Sequence, residues 1–388
     1  MLGGLGENLV PRRMFAMSHS ITPFSAADHA YMAQALQLAE KGLYTTSPNP
    51  RVGCVVVHDG EVVGRGWHER AGSPHAEVNA LAAAGSAARG AVAYVTLEPC
   101  SHHGRTPPCG EALIAAGVAR VIMAMEDPNP LVAGKGAALL RQAGVEVLGG
   151  LMETQAKALN AGFVSRMMRQ RPWVRLKIAA SVDGKTALNN GVSQWITSEP
   201  ARRDGHRLRA RSCAVLTGIG TVLTDNPQLN VRYVETSRQP LRVILDSRLR
   251  ISPDSKVLRE GGAFIFTASA NEEKMSALRN MGASVIPLSG PEDKVDLAKM
   301  MRVLASLEIN ELLVEAGPRL NGALIQAGLV DELVIYLAPY LIGHAARGMA
   351  QLPELAFIEE KRALIVHDLR SIGTDIRISA YLQAPAAP

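Results

Sequence analysis

The chain of 388 residues is 47% hydrophobic and 20% charged, which excludes a disordered polymer and leaves room for two or three domains. Its net charge of +5 comes from 41 basic and 36 acidic residues that interleave, and only 4% of residues are aromatic, so neither a nucleic-acid coat nor a base-stacking platform fits. No stretch reaches the ~18 consecutive apolar residues of a membrane-spanning helix, and four cysteines are too few for a disulfide framework. A reducing, cytoplasmic setting and a phosphate-bearing small-molecule partner are expected, with no nucleic acid and no membrane; a homo-oligomer is left open.

Residues 1–24 lack both a periodic apolar pattern and the apolar core of a secretory signal, and read as a tail. Organised sequence begins at Ser25, with Tyr31, Ala35, Leu38 and Ala39 at helical spacing over 28–41 and Gly42 as a stop. Valine-rich runs at 52–58 and 62–67 flank Asp59-Gly60 and predict a hairpin. Helices at 75–84, 110–116 and 134–142 then alternate with strands at 91–96, 120–124 and 145–148. A hairpin followed by βα repeats is a layered α/β domain, 25–149, with a mostly parallel end. Residues 150–172 hold a polar helix at 153–160 and the cluster Arg166, Arg169 and Arg171, and read as a connector. A second α/β domain, 173–388, is predicted from strands at 173–180, 213–216, 241–246, 263–267, 311–314 and 332–337. Its helices fall at 199–209, 295–306 and 319–327, and a last strand near 375–382 closes the sheet. No internal repeat relates the two halves.

In the first domain His75-Ala76-Glu77 opens a helix, Glu98-Pro99-Cys100 ends a strand, and Cys109 follows nine residues later. One imidazole and two thiolates form a three-ligand zinc site with a fourth position open. An open position suits hydrolysis, because the metal lowers the pKa of water. Glu77 is close enough to move a proton from water to a departing amine without binding the metal, and His-x-Glu with Pro-Cys-…-Cys is the zinc deaminase signature. A closed structural site would need a fourth ligand, for which His102 and His103 are the spares. Cys54 and Cys213 read as buried small hydrophobes, and His58 as solvated.

The two cysteines of the general deaminase motif are separated by two residues, whereas eight stand between Cys100 and Cys109. This spacing, together with Ser47-Pro48-Asn49-Pro50-Arg51-Val52-Gly53, Gly66-Trp67-His68, His75-Ala76-Glu77, the segment 96–109 and Asp127-Pro128-Asn129-Pro130, resembles the bifunctional riboflavin-biosynthesis deaminase–reductase family. The resemblance implies a cytidine-deaminase-like three-layer domain that deaminates a diaminopyrimidinone carrying a ribosylamino 5′-phosphate. It makes His75, Cys100 and Cys109 the zinc ligands and Glu77 the proton shuttle, and puts Asn49, His68, Arg105 and Asn129 around the ring and phosphate. Asn-Pro is also ordinary turn chemistry, and Arg105 could be a solvated loop charge; it stands where the family often has lysine.

In the second domain Gly218-Ile219-Gly220 invites a dinucleotide-fold reading that fails, because no third glycine follows and Asp225-Asn226-Pro227 breaks the chain. The run Glu315-Ala316-Gly317-Pro318-Arg319-Leu320-Asn321-Gly322 lies between a strand and a helix. It is either a phosphate cradle or a plain loop. The segments 176–185, Ser193-Gln194-Trp195-Ile196-Thr197, 225–232 and 314–318 are similar to the reductase half of the same family, with Val182 where leucine is usual. The resemblance implies a dihydrofolate-reductase-like domain that transfers a hydride from NADPH to C1′ of the ribosyl group, giving a ribityl chain. By the same carry-over Ala179, Trp195, Thr221, Asp225, Ser247, Gly317, Pro318, Arg319, Leu320, Asn321, Gly322 and Ala323 contact the cofactor. Lys177, Ser193, Arg209, Leu229, Arg232 and Glu315 contact the substrate. Trp195 could otherwise be a core aromatic, and Arg202, Arg203 and Arg207 read as a solvated helix face. Two other readings are weighed: a base deaminase with an RNA-binding appendage, disfavoured by the low aromatic content, and a zinc-stabilised scaffold, which would not need Glu77.

Overall fold

The structure, a computed structural model, describes residues 24–101, 108–130, 132–259 and 261–382. The 1–24 tail lies outside it apart from its last residue. Helix α1 (Ala26–Glu40) starts at Ser25 through a reciprocal cap: the Asp28 N–H donates to the Ser25 hydroxyl at 3.1 Å and the Ser25 N–H to the Asp28 carboxylate at 2.7 Å. The hairpin β1 (Gly53–His58) and β2 (Glu61–Trp67) follows, then α2 (Ala76–Ala84), β3 (Val92–Val95), α3 (Cys109–Ala115), β4 (Arg120–Met123), α4 (Lys135–Gln142) and β5 (Glu146–Gly149). These strands form one sheet in the order β2-β1-β3-β4-β5, antiparallel about β1 and parallel from β3 to β5.

Glycines let the helices close on both faces of this sheet. A Cβ on Gly53 would stand 1.9 Å from the Ala35 carbonyl oxygen of α1. Gly66 pairs with Cys54, the neighbour of Gly53, so it points to the opposite face, where a Cβ would stand 2.3 Å from the Ala76 carbonyl oxygen of α2. The result is the helix–sheet–helix layering expected of the first half, around a core that includes Val55, Val56, Val95, Leu113 and Ile122.

Residues 150–172 are more compact than a polar connector. They fold into α5 (Glu153–Leu159) and α6 (Ala161–Arg169), with Leu151 and Ala156 buried in the first core. Beyond them run β6 (Trp173–Ser181), β7 (Lys185–Ala187), α7 (Glu199–Arg211), β8 (Ala214–Gly218), α8 (Ile219–Asp225), β9 (Leu241–Leu245), β10 (Ala263–Thr267), α9 (Glu272–Asn280) and β11 (Ser284–Pro287). The described residues close with α10 (Leu297–Ser306), β12 (Glu311–Val314), α11 (Pro318–Gln326), β13 (Glu332–Ala338), β14 (Arg347–Gly348), β15 (Leu364–Ile372) and β16 (Asp375–Leu382). Nine of these strands make a mixed sheet in the order β11-β10-β9-β8-β12-β6-β13-β16-β15, parallel from β11 to β13 and antiparallel at β16 and β15.

One sequence expectation is corrected here. The strand at 375–382 does not close the sheet, because β15 pairs outside it and forms the edge. Cys54 and Cys213 are buried as expected, while His58 is half-exposed, with its Nε2 3.4 Å from the Asp59 carboxylate.

Candidate active sites

The β3 strand delivers Cys100 to a turn, α3 begins at Cys109 and α2 is preceded by its N-cap His75. Their ligand atoms all lie within 4.8 Å of one another, with His75 Nδ1 3.1 Å from Cys109 Sγ and 3.7 Å from Cys100 Sγ. The Cys109 backbone N–H donates to Cys100 Sγ at 3.3 Å, which favours a thiolate there. Hydrogen bonding from Cys109, and then from His75, lowers the Cys100 thiol; hydrogen bonding with Cys100, together with burial, raises that of Cys109. Contact with Cys100 raises the His75 imidazole. Glu77, only 4% exposed, stands in hydrogen-bond contact with Cys109, and burial pushes its carboxyl up to about 7. A nitrogen and two sulfurs converging at this separation are a donor set suited to zinc.

Beside the cluster the His68 and His75 rings meet edge to face with centroids 5.3 Å apart. The Pro74 carbonyl can only accept, so His68 Nδ1 carries the proton at 3.2 Å and Nε2 accepts from the Asn49 amide nitrogen at 3.1 Å. Burial lowers the His68 pKa and keeps the ring neutral. Asn129 follows a turn in which its N–H donates to the Asp127 carboxylate at 2.8 Å. Glu98, which the sequence reading left without a role, is buried and accepts the N–H groups of Asp127, Gly134 and Ala137 at 3.0–3.1 Å. It thereby ties the loop of Asn129 to the turn of Cys100. Arg105 lies outside the described residues.

In the second half a cleft of about 1440 Å³ opens along the ends of β6, β8, β9 and β12. Its wall includes Ala179, Trp195, Thr221, Asp225, Ser247, Gly317, Pro318, Arg319, Leu320 and Ala323, together with Lys177, Ser193 and Glu315. Gly317 caps α11 without any side-chain cap bond, and a Cβ placed there would meet nothing within 4 Å, so the helix start is open beside Gly317. With Arg319, Arg248 and Arg250 on the same wall, that opening suits an anion. Helix α8 ends at Asp225, where the sequence places a break, and Asn226 takes a left-handed φ of 42°.

Glu315 is held at about 2: burial would raise it, but the Arg209 fork, bonding at 2.6 and 2.9 Å, outweighs that. Burial lowers Lys177 despite Glu315, and lowers His206 to about 4 with help from Arg209.

Not every expected contact reaches the cleft wall. The Asn321 amide donates to the Met349 carbonyl, and a Cβ on Gly322 would stand 1.9 Å from the Gln351 carbonyl oxygen, so both residues pack the back of α11. Arg209 is nearly buried as the ion-pair partner of Glu315, and Leu229 is buried in the second-half core. Arg232 bonds to Gln228 and Asn230, while its N–H donates to His206 Nδ1 at 2.9 Å. Trp195 is no core aromatic: it is 68% exposed, with the Arg202 guanidinium 4.6 Å from its ring centroid. Arg202 itself lines the cleft, which corrects its place on a solvated face, whereas Arg203 and Arg207 do lie at the surface as ion pairs with Glu199 and Asp204.

Residues 25–125 match the family described as the cytidine and deoxycytidylate deaminase zinc-binding region, and residues 172–377 match the RibD C-terminal domain. The riboflavin biosynthesis protein RibD of Escherichia coli is 50% identical over 363 residues, covering 90% of this chain and 98% of the relative. That of Haemophilus influenzae is 47% identical over 368 residues, covering 92% and 98%. Among solved structures, RibD of Acinetobacter baumannii in its form 1 superposes with a TM-score of 0.86 at 43% identity, covering 92% of this chain and 99% of the other. A Thermotoga maritima protein described as a diaminohydroxyphosphoribosylaminopyrimidine deaminase/5-amino-6-(5-phosphoribosylamino)uracil reductase superposes with a TM-score of 0.81 at 33% identity, covering 92% and 99%.

Proposed function

Because this chain belongs to the bifunctional riboflavin-biosynthesis deaminase–reductase family, we propose that its two sites act in succession on one phosphorylated pyrimidine. The first converts 2,5-diamino-6-(5-phosphoribosylamino)pyrimidin-4(3H)-one to 5-amino-6-(5-phosphoribosylamino)uracil. The second reduces the ribosyl group of that product to ribityl with NADPH. The observation that carries the reading is the convergence of His75, Cys100 and Cys109 within 4.8 Å beside a buried Glu77.

His75, Cys100 and Cys109 would hold zinc, which when bound supplies the Lewis acidity that makes water a nucleophile at neutral pH. Glu77 takes a proton from the attacking water and returns it to the exocyclic amine. A C–O bond forms at the ring carbon, the C–N bond breaks, and ammonia leaves. Asn49 keeps its amide oxygen for the pyrimidine, since its nitrogen is committed to His68. Asn129 and Arg105 are the remaining contacts to the ring and phosphate in the same reading.

In the second site a cleft of about 1440 Å³ exceeds the roughly 300–1,000 Å³ of a pocket for one small ligand. It accommodates a dinucleotide and a sugar phosphate together. NADPH supplies the hydride; the protein supplies placement. The open α11 N-terminus and Arg319 receive phosphate, Trp195 and Ala179 the remainder of the cofactor, and Lys177 and Glu315 the opened sugar. A homo-oligomer belongs to the same reading. The nine-residue edge β15 exposes Leu364, Ile365, Val366 and Leu369 and could pair with its two-fold copy; a monomer by sedimentation overturns that part. No helix among the described residues is long and apolar enough to cross a membrane, and the cytoplasm is the proposed location.

Incubating the full chain with the diaminopyrimidinone phosphate, with and without NADPH, separates the steps by mass. Glu77→Gln should retain zinc and lose deamination while still reducing supplied aminouracil. Stripping zinc with a chelator should have the same split effect. Normal deamination by Glu77→Gln, or equal loss of both steps on chelation with the fold intact, contradicts the assignment.

A further inference from the structure

The segment 47–51 precedes β1 of the first sheet, yet much of its polar anchoring comes from beyond that sheet. The Pro48 carbonyl accepts the Asn310 amide N–H at 2.8 Å and an Arg166 N–H at 3.5 Å. Arg166 Nε in turn donates to Asn310 Oδ1 at 2.6 Å, so the two residues form one unit. Asn310 is 4% exposed and immediately precedes β12. Three residues after Pro48, the Arg51 backbone is clamped by Asn160, whose amide accepts the Arg51 N–H at 2.8 Å and donates to the Arg51 carbonyl at 2.9 Å. The Arg51 guanidinium donates to Glu311 of β12 at 2.6 Å.

Asn49 stands between these anchors. Prolines on both sides fix φ at 48 and 50, and its own N–H is bound to the Thr46 carbonyl at 2.9 Å. The orientation of its side chain against His68 therefore depends on where the Pro48 peptide is held. We infer that Asn310, seated on Arg166, is a positioning residue for the deaminase site: a residue from the reductase half sets the Pro48 carbonyl and, through it, the Asn49 amide. The inference rests on the reading of Asn49 as a substrate contact. It makes the pyrimidine side of the first site dependent on the start of β12, the strand that runs on to Glu315 and Gly317 in the other cleft.

The test uses the full chain. N310D keeps an acceptor for Arg166 but offers the Pro48 carbonyl no N–H; N310A removes both bonds. Each should raise the deaminase KM about tenfold, as loss of one well-placed hydrogen bond does, with kcat falling less than about threefold. Reduction of supplied aminouracil should stay within about twofold of wild type, since nothing in that cleft is altered. In an N49A background N310D should add nothing, because the amide it positions is gone. An unchanged deaminase KM in both variants, a full additional loss in the N49A background, or equal loss of both activities overturns the inference. If N49A alone leaves deamination normal, the reading of Asn49 fails and takes the inference with it. An impaired N49A with a normal N310D refutes the inference alone.

Discussion

Replacing Glu311 by glutamine tests how the two halves are held together. Glu311 is 1% exposed and accepts from Arg51 at 2.6 Å, Arg211 at 2.9 Å and Arg175 at 3.0 Å. Glutamine has nearly the same shape, so the substitution removes charge without opening a cavity. Arg175 keeps Glu332 at 2.8 Å, and Arg51 keeps the Leu159 carbonyl at 2.9 Å, but among the described residues no second carboxylate pairs with Arg51. Breaking a buried pair while leaving its partner charged costs about 3–5 kcal/mol. With Arg175 still paired, the lower end, about 3 kcal/mol, is expected, against a total of roughly 5–15 kcal/mol for a folded domain. Urea unfolding followed by tryptophan fluorescence should show a midpoint lowered by about 1–2 M. The loss should persist in high salt, which screens buried pairs weakly. Burial would raise Glu311, but Arg211, Arg51 and Arg175 hold it well below its ordinary 4.5. Its contribution is therefore complete above pH 4.5 and disappears as pH falls through the lower folded value, so wild type and E311Q should converge in acid. A loss below about 1 kcal/mol, or one abolished by salt, refutes the buried-charge argument.

A fragment ending at residue 149 discards Leu151 and Ala156 from the first core and Asn160 from Arg51. It should melt well below a fragment ending at 170, because burying one leucine alone is worth roughly 1.5–3 kcal/mol; equal melting temperatures contradict this. W195A should raise the NADPH KM about threefold to tenfold by removing an aromatic platform beside Arg202, and an unchanged NADPH KM removes Trp195 from the cofactor site. His206 accepts the Arg232 N–H in its neutral form and titrates near 4 through burial and Arg209, below its ordinary 6.5. Its stabilisation is complete above pH 6.5 and is lost as pH falls towards 4, so H206N should flatten the fall of the urea midpoint across that window. Identical slopes for the two proteins argue against a neutral His206.

The cluster around His75 was legible because its chemistry limits the choice of residue: a zinc site needs nitrogen or sulfur donors, and a shuttle two positions from a ligand needs a carboxylate. The α11 loop was half-legible, since a glycine-proline step after a strand fits an anion site or an ordinary turn equally well; the structure adds the open space beside Gly317. Asn321 and Gly322 lie one helical turn away and face Met349 and Gln351 instead, a distinction that local motif matching cannot make. The anchoring of the first site was illegible for a different reason. Arg166 and Asn310 reach Pro48 across 118 and 262 positions, and Arg51 reaches Glu311 across 260. Pro48 and Arg51 belong to a quoted motif, but nothing local to Arg166, Asn310 or Glu311 marks them as its partners. The arginines at 166, 169 and 171 read as part of a polar connector until α6 is seen lying against β12, where a Cβ on Gly162 would stand 2.7 Å from the Asn310 carbonyl oxygen. Short-range chemistry thus points to the first site, whereas contacts made only after both halves have folded anchor the segment that carries Asn49. Exchanging the reductase half for one lacking Asn310, and so leaving Arg166 without its partner, should therefore disturb deamination even with every motif of the first half left intact.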